Sequence, residues 1–128
     1  MAEEKRKKIL LAADEEDVLN HLGRILQLAD YEVFSTTKGK EVLTLAKDIS
    51  PDVIILDIGM PDMDGGAVAS ALAEEPSTTH IPVVFLTGIL TREEVLSRGK
   101  THRYYVIAKP AIPEEVLVLI KQILSPYK

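Results

Sequence analysis

Polar and apolar positions along this chain fall into two recurring patterns. Short unbroken apolar runs, Ile9–Ala13, Val53–Leu56, Ile81–Leu86 and Val106–Ala108, alternate with longer segments in which apolar residues recur every three or four positions. An unbroken run rich in branched residues predicts a strand covered on both faces, the condition inside a parallel sheet. Tyr31–Thr36 alternates and predicts a further strand, second in chain order, and Tyr104–Ala108 the fifth. Helical spacing predicts helices between them. Val18, Leu22, Ile25, Leu26 and Ala29 make one apolar face, Val42, Leu45, Ala46 and Ile49 a second, and Ala67, Val68, Ala71 and Leu72 a third. Strands alternating with helices predict an α/β domain.

Local signals mark several boundaries. Ser50-Pro51 ends the second helix, because a residue before proline avoids the helical region. Pro76 with Ser77, Thr78 and Thr79 predicts a loop before the fourth strand. Thr91 and Glu94 stand at capping-box spacing and, with Val95 and Leu96, predict a short, weakly amphipathic fourth helix. Pro113, Glu114 and Glu115 open the last helix, where proline suits the first turn. Residues Val116, Leu117, Val118, Leu119 and Ile120 are apolar around more of that helix than one sheet face requires. Deep burial and a partner surface both account for it.

Four of the apolar runs deliver a polar group at their carboxyl ends. Asp14 follows the first strand, Asp57 the third, Thr87 the fourth, and Lys109 with Pro110 the fifth. Right-handed crossovers bring such ends to one side of a sheet, which in open α/β sheets is the side where ligands sit. Each residue also has a plainer explanation. Acids from Asp14 to Asp17 meet the dipole of the helix they precede, which is the reading preferred for Glu15, Glu16 and Asp17. Thr87 is a strand former, and Lys109 by itself would be a solvated cation.

Composition narrows the classes. The chain has 128 residues, enough for one domain and its core. Its 46% apolar and 27% charged residues are ordinary for a globular protein. No apolar run approaches the roughly 20 residues of a membrane span, and the start, MAEEKRKK, lacks a secretory core, so a cytoplasmic protein is expected. The absence of cysteine excludes a thiol nucleophile and a sulfur-based zinc site. A formal charge of −5 argues against a nucleic-acid surface. The basic cluster Lys5–Lys8 reads as a solvated lead-in, with residues 1–6 ahead of a domain spanning 7–128.

The ordered set of Asp14, Asp57 with Met60-Pro61 and Gly65 behind it, Thr87, and Lys109-Pro110 resembles the receiver domain of two-component response regulators, over about Lys7 to Leu124. The resemblance implies a flavodoxin-like, doubly wound, five-stranded parallel sheet of order 2-1-3-4-5 with helices on both faces. It implies that Asp57 accepts a phosphoryl group from a histidine kinase or phosphotransfer protein, with Mg²⁺ held by Asp14, Asp57 and the Gly59 carbonyl. Lys109 and Thr87 would then contact the phosphoryl oxygens. The domain would catalyse only its own phosphorylation and dephosphorylation. It would signal to an effector or form a homodimer through the fourth helix, fifth strand and last helix.

Several positions depart from that pattern. The family usually has two adjacent acids after the first strand, and the first of those positions here is Ala13, which leaves Glu15 or Glu16 as candidates to compensate. The family's aromatic switch position, three residues before the lysine, is Val106; Tyr105 beside it should face the opposite side of the sheet. His102 and Arg103 replace the small residues usual in the preceding turn. Two competing readings follow. One is a pseudo-receiver that binds partners without phosphorylation, consistent with Ala13. The other is a haloacid-dehalogenase-type phosphatase using Asp62 and Asp64 of the DMDG stretch, disfavoured because Met60-Pro61 separates that pair from the apolar run.

Overall fold

In the computed structural model, which describes residues 6–57, 65–87, 104–108 and 112–124, five strands of five residues form one parallel sheet. They are β1 (Lys8–Ala12), β2 (Glu32–Thr36), β3 (Val53–Asp57), β4 (Val83–Thr87) and β5 (Tyr104–Ala108). The helices are α1 (Glu16–Leu28), α2 (Val42–Ile49), α3 (Gly65–Glu74) and a last helix, Pro113–Leu124, with a 3-10 turn at Gly39–Glu41 leading into α2. Lateral order is β2-β1-β3-β4-β5, the doubly wound flavodoxin-like arrangement, with β3 at the centre.

Strand alternation divides the core into two layers. On one face Ile9, Leu11, Val53, Ile55, Val84 and Leu86 pack with Leu19, Leu22 and Leu26 of α1 and with Val116 and Ile120 of the last helix. On the other, Leu10, Ile54, Leu56 and Val83 pack with Val42 and Ala46 of α2 and Val68 and Leu72 of α3. All five residues of β3 are buried. That is why its sequence shows no polar alternation until its final residue.

Several sequence expectations need adjustment. The first strand begins at Lys8 rather than Ile9 and ends before Ala13. Lys8 is therefore not a solvated lead-in residue: its amide donates to the Asp52 carboxylate at 2.8 Å and its ammonium to the Ile49 carbonyl at 3.2 Å. The latter bond satisfies a carbonyl at the end of α2, where Ser50 adopts a left-handed conformation (φ 55°). Arg6, in turn, reaches Asp30 at 3.1 Å, with both side chains well exposed.

The second strand starts at Glu32, because the Tyr31 amide is taken by the Leu26 carbonyl as α1 closes. Ala29 caps that helix rather than extending it, and Leu19 and Gly23 join Leu22 and Leu26 on its buried face. The fourth strand begins at Val83, not Ile81. Pro82 has no amide to give the ladder, although its carbonyl still accepts from Ile54. In the last helix only Val116 and Ile120 are buried, while Val118 is 55% exposed, so its long apolar run is not explained by depth alone. The expected helix at Thr91–Leu96 and the residues His102 and Arg103 lie outside the described residues.

Candidate functional site

The carboxyl ends of the strands share one rim because every neighbouring pair in the sheet is parallel. Asp57 closes β3 opposite Leu86, and Thr87 closes β4 one step farther out, opposite Ala108. Lys109 follows Ala108 directly in sequence. On the other side, Ala12 closes β1 level with Leu56, and Asp14 follows two residues later. Backbone topology thus brings Asp14, Asp57, Thr87 and the end of β5 to one edge of three central strands and their neighbour.

The two described carboxylates differ in setting. Asp57 is 1% exposed and engaged in a polar interaction. Alternation along β3 sets it on the face of Val53 and Ile55, at the outer limit of the α1-side core. Burying a charge is costly without compensating partners, so a carboxylate retained at the end of an otherwise apolar strand is a candidate for chemistry rather than packing. Asp14 is exposed, in the bend between β1 and α1. It does not cap the helix: Glu15 occupies the N-cap position, without a side-chain capping bond, and Glu16 and Asp17 form the acidic first turn.

Ala13, the position expected to carry an acid, is fully buried in the apolar cluster of that same face. Its amide donates to the Thr36 carbonyl at 3.2 Å. Val106 pairs with Phe85, whereas Tyr105 packs against the α1-side cluster. Tyr105 therefore lies on the sheet face opposite to Val106 and does not stand in for an aromatic there.

A further polar group stands at the same rim, on the marginal strand β2. Thr36 ends the edge strand β2 and is buried, and its hydroxyl donates to Glu41 Oε1 at 2.9 Å while accepting from the Lys38 amide at 3.0 Å. Because Thr36 is level with Ala12, it belongs to the α2-side face, away from that of Asp57. Among the described residues no cluster of three or more acids or histidines is arranged to hold a metal. Gly59, Asp62, Asp64 and Lys109 lie outside the described residues.

Comparison with known proteins agrees with this geometry. The response regulator receiver domain family matches residues 9–121. The polar-differentiation response regulator DivK of Brucella ovis is 29% identical over 121 residues, covering 93% of this chain and 97% of the relative. Among solved structures, the chemotaxis response regulator CheY4 of Vibrio cholerae superposes with a TM-score of 0.80 at 28% identity, covering 94% of this chain and 100% of that one. A putative response regulator from Chloroflexus aurantiacus J-10-fl gives a TM-score of 0.81 at 27% identity over 94% and 99% of the two chains.

Proposed function

The chain belongs to the response regulator receiver domain family, and from that premise we propose that it is a phosphoacceptor whose Asp57 takes a phosphoryl group from a histidine kinase or phosphotransfer protein. The observation that carries the reading is Asp57 itself, buried to 1% at the outer end of the central strand, on the rim where the neighbouring strands also end. We take residues 7–128 as the domain.

The chemistry follows from the placement. An Asp57 carboxylate oxygen attacks phosphorus, and a new O–P bond forms as the bond from phosphorus to the donor breaks, its electron pair leaving with the donor. Two anions must approach, so positive charge is needed where the transferring oxygens gather. A divalent cation such as Mg²⁺, when bound, supplies part of that charge. The donor set fits: Asp14 and Asp57 are hard oxygen donors at one rim, and Mg²⁺ commonly uses one or two carboxylates, keeping waters and substrate phosphate for the rest. Gly59 would add its carbonyl. Lys109 supplies a cation and Thr87 a hydroxyl donor to the phosphoryl oxygens. Burial of Asp57 limits water at the nucleophile.

The added group brings roughly −1.5 to −2 charges, which repositions Thr87 and the segment after it and changes binding of an effector or a second copy at the fifth strand and last helix. No helix among the described residues is long and apolar enough to cross a membrane. On this reading the protein is cytoplasmic and catalyses only its own phosphorylation cycle.

Acetyl phosphate with Mg²⁺, followed by intact-mass measurement, tests this directly. One acid-labile phosphoryl group is expected, lost in Asp57→Asn and retained in Asp62→Asn. Labelling that survives Asp57→Asn refutes the assignment, and no labelling of the folded wild type identifies a pseudo-receiver.

A further inference from the structure

The apolar neighbour of Asp57 carries a consequence for cation binding. Register pairs Ile9 with Val53, Leu11 with Ile55 and Ala12 with Leu56, so the next step sets Ala13 level with Asp57 across adjacent strand ends. Those ends are about 4.8 Å apart. Both residues belong to the same sheet face, since Ala13 packs in the cluster that holds Leu11 and Ile55, and Asp57 follows Ile55 by two. On the β1 side, the side chain level with the acceptor is therefore a methyl group, fully buried.

Among the described residues, the other acids near the rim are placed elsewhere. Glu41 is committed to the Thr36 hydroxyl at 2.9 Å, and Thr36 is level with Ala12 on the opposite face. Glu15 and Glu16 are exposed at the start of α1.

Resting on the phosphoacceptor reading above, we propose that Ala13 is the residue that sets divalent-cation affinity in this chain. With a methyl in that place, the described residues offer the site two carboxylates, Asp14 and Asp57, so the cation binds weakly until a phosphoryl group brings the remaining negative charge. Cation and phosphoryl donor then bind with strong mutual dependence, because each supplies charge the other lacks. A carboxylate added about 4 Å from a divalent ion, even under bulk-water screening, strengthens binding roughly ten-fold or more.

Mn²⁺ binding to the full chain, followed by the electron paramagnetic resonance signal of the free ion, tests this without reference to phosphorylation. Ala13→Asp should tighten Mn²⁺ about ten-fold or more over wild type, and the neutral Ala13→Asn, of similar size, should not. Equal affinities for the two variants, both folded by circular dichroism, would overturn the proposal. Ala13 is buried, so Ala13→Asp can fail to fold; Glu15→Gln, at an exposed position, gives an independent test. It should leave wild-type affinity within about two-fold, and a ten-fold loss would reveal a third carboxylate and overturn the proposal. Asp57→Asn separates this idea from the reading beneath it. If that variant binds Mn²⁺ as wild type does, the site assignment itself is wrong; if it weakens binding while Ala13→Asp gives no gain, only the role of Ala13 is.

Discussion

Ile55→Ala probes the support under the acceptor. Ile55 is fully buried two residues before Asp57, and its register partners are Leu11 on β1 and Val84 on β4, both in the same cluster. The substitution deletes three carbons, or about 2.4 kcal/mol of lost transfer energy at roughly 0.8 kcal/mol each. A cavity term adds to this. Hydrogen-bonded strands flank β3 on both sides, so the site cannot readily collapse, and the total should reach about 4 kcal/mol, within the ~2–5 kcal/mol range for such truncations. For a domain of this size that corresponds to a fall in melting temperature of roughly 12–20 °C. Urea unfolding followed by far-ultraviolet circular dichroism is the suitable assay, since the chain has no tryptophan. The midpoint should drop with an unchanged slope, the sign of lost stability rather than an altered ensemble. Val118→Ala, at a position 55% exposed, serves as the control and should cost less than about 1 kcal/mol. A cost below about 1 kcal/mol for Ile55→Ala, or an equal cost for both, would refute the account of β3 as the rigid platform of the site.

Two further outcomes concern polar groups away from the rim. The Thr78 hydroxyl is buried and donates to the Leu72 carbonyl at 2.6 Å, closing the end of α3; Thr78→Val should cost about 1–3 kcal/mol in the same urea assay, and a neutral result would contradict that bond. Desolvation raises the pKa of Tyr31 above its ordinary 10.0, so the folded state keeps that proton when the unfolded chain has lost it. Stability should therefore fall as pH rises above 10.0, and Tyr31→Phe should remove that part of the decline; an unchanged alkaline profile in the variant would exclude Tyr31 as its source.

The parallel sheet was legible because it is written in local periodicity. β3 is apolar at four successive positions before Asp57, and both its faces prove to be covered. Helix α1 shows the limit of the same signal. Periodicity predicts its apolar face at Val18, Leu22, Ile25, Leu26 and Ala29, yet Val18, Ile25 and Ala29 are only half-buried, while Leu19 and Gly23 are buried. Periodicity locates a stripe, and the docking angle on the sheet decides its centre. Pro82 likewise moved the start of β4, through a missing amide that the apolar run from Ile81 concealed. Lys8 looked like one of four solvated cations until Ile49 and Asp52, more than forty residues away, gave it partners.

The candidate acceptor divides in the same way. The residue types at the strand ends, and the substitution of alanine for an acid at position 13, are properties of the sequence alone. Which of those ends stand side by side depends on lateral strand order and register, set by crossovers and by burial against distant helices. Only the folded sheet puts the Ala13 methyl level with Asp57, turns Tyr105 to the face away from Val106, and commits Glu41 to Thr36. Local pattern fixes what each strand presents; neighbours remote in sequence fix what it is presented to, because the free energy of burial is shared between partners that no short window contains.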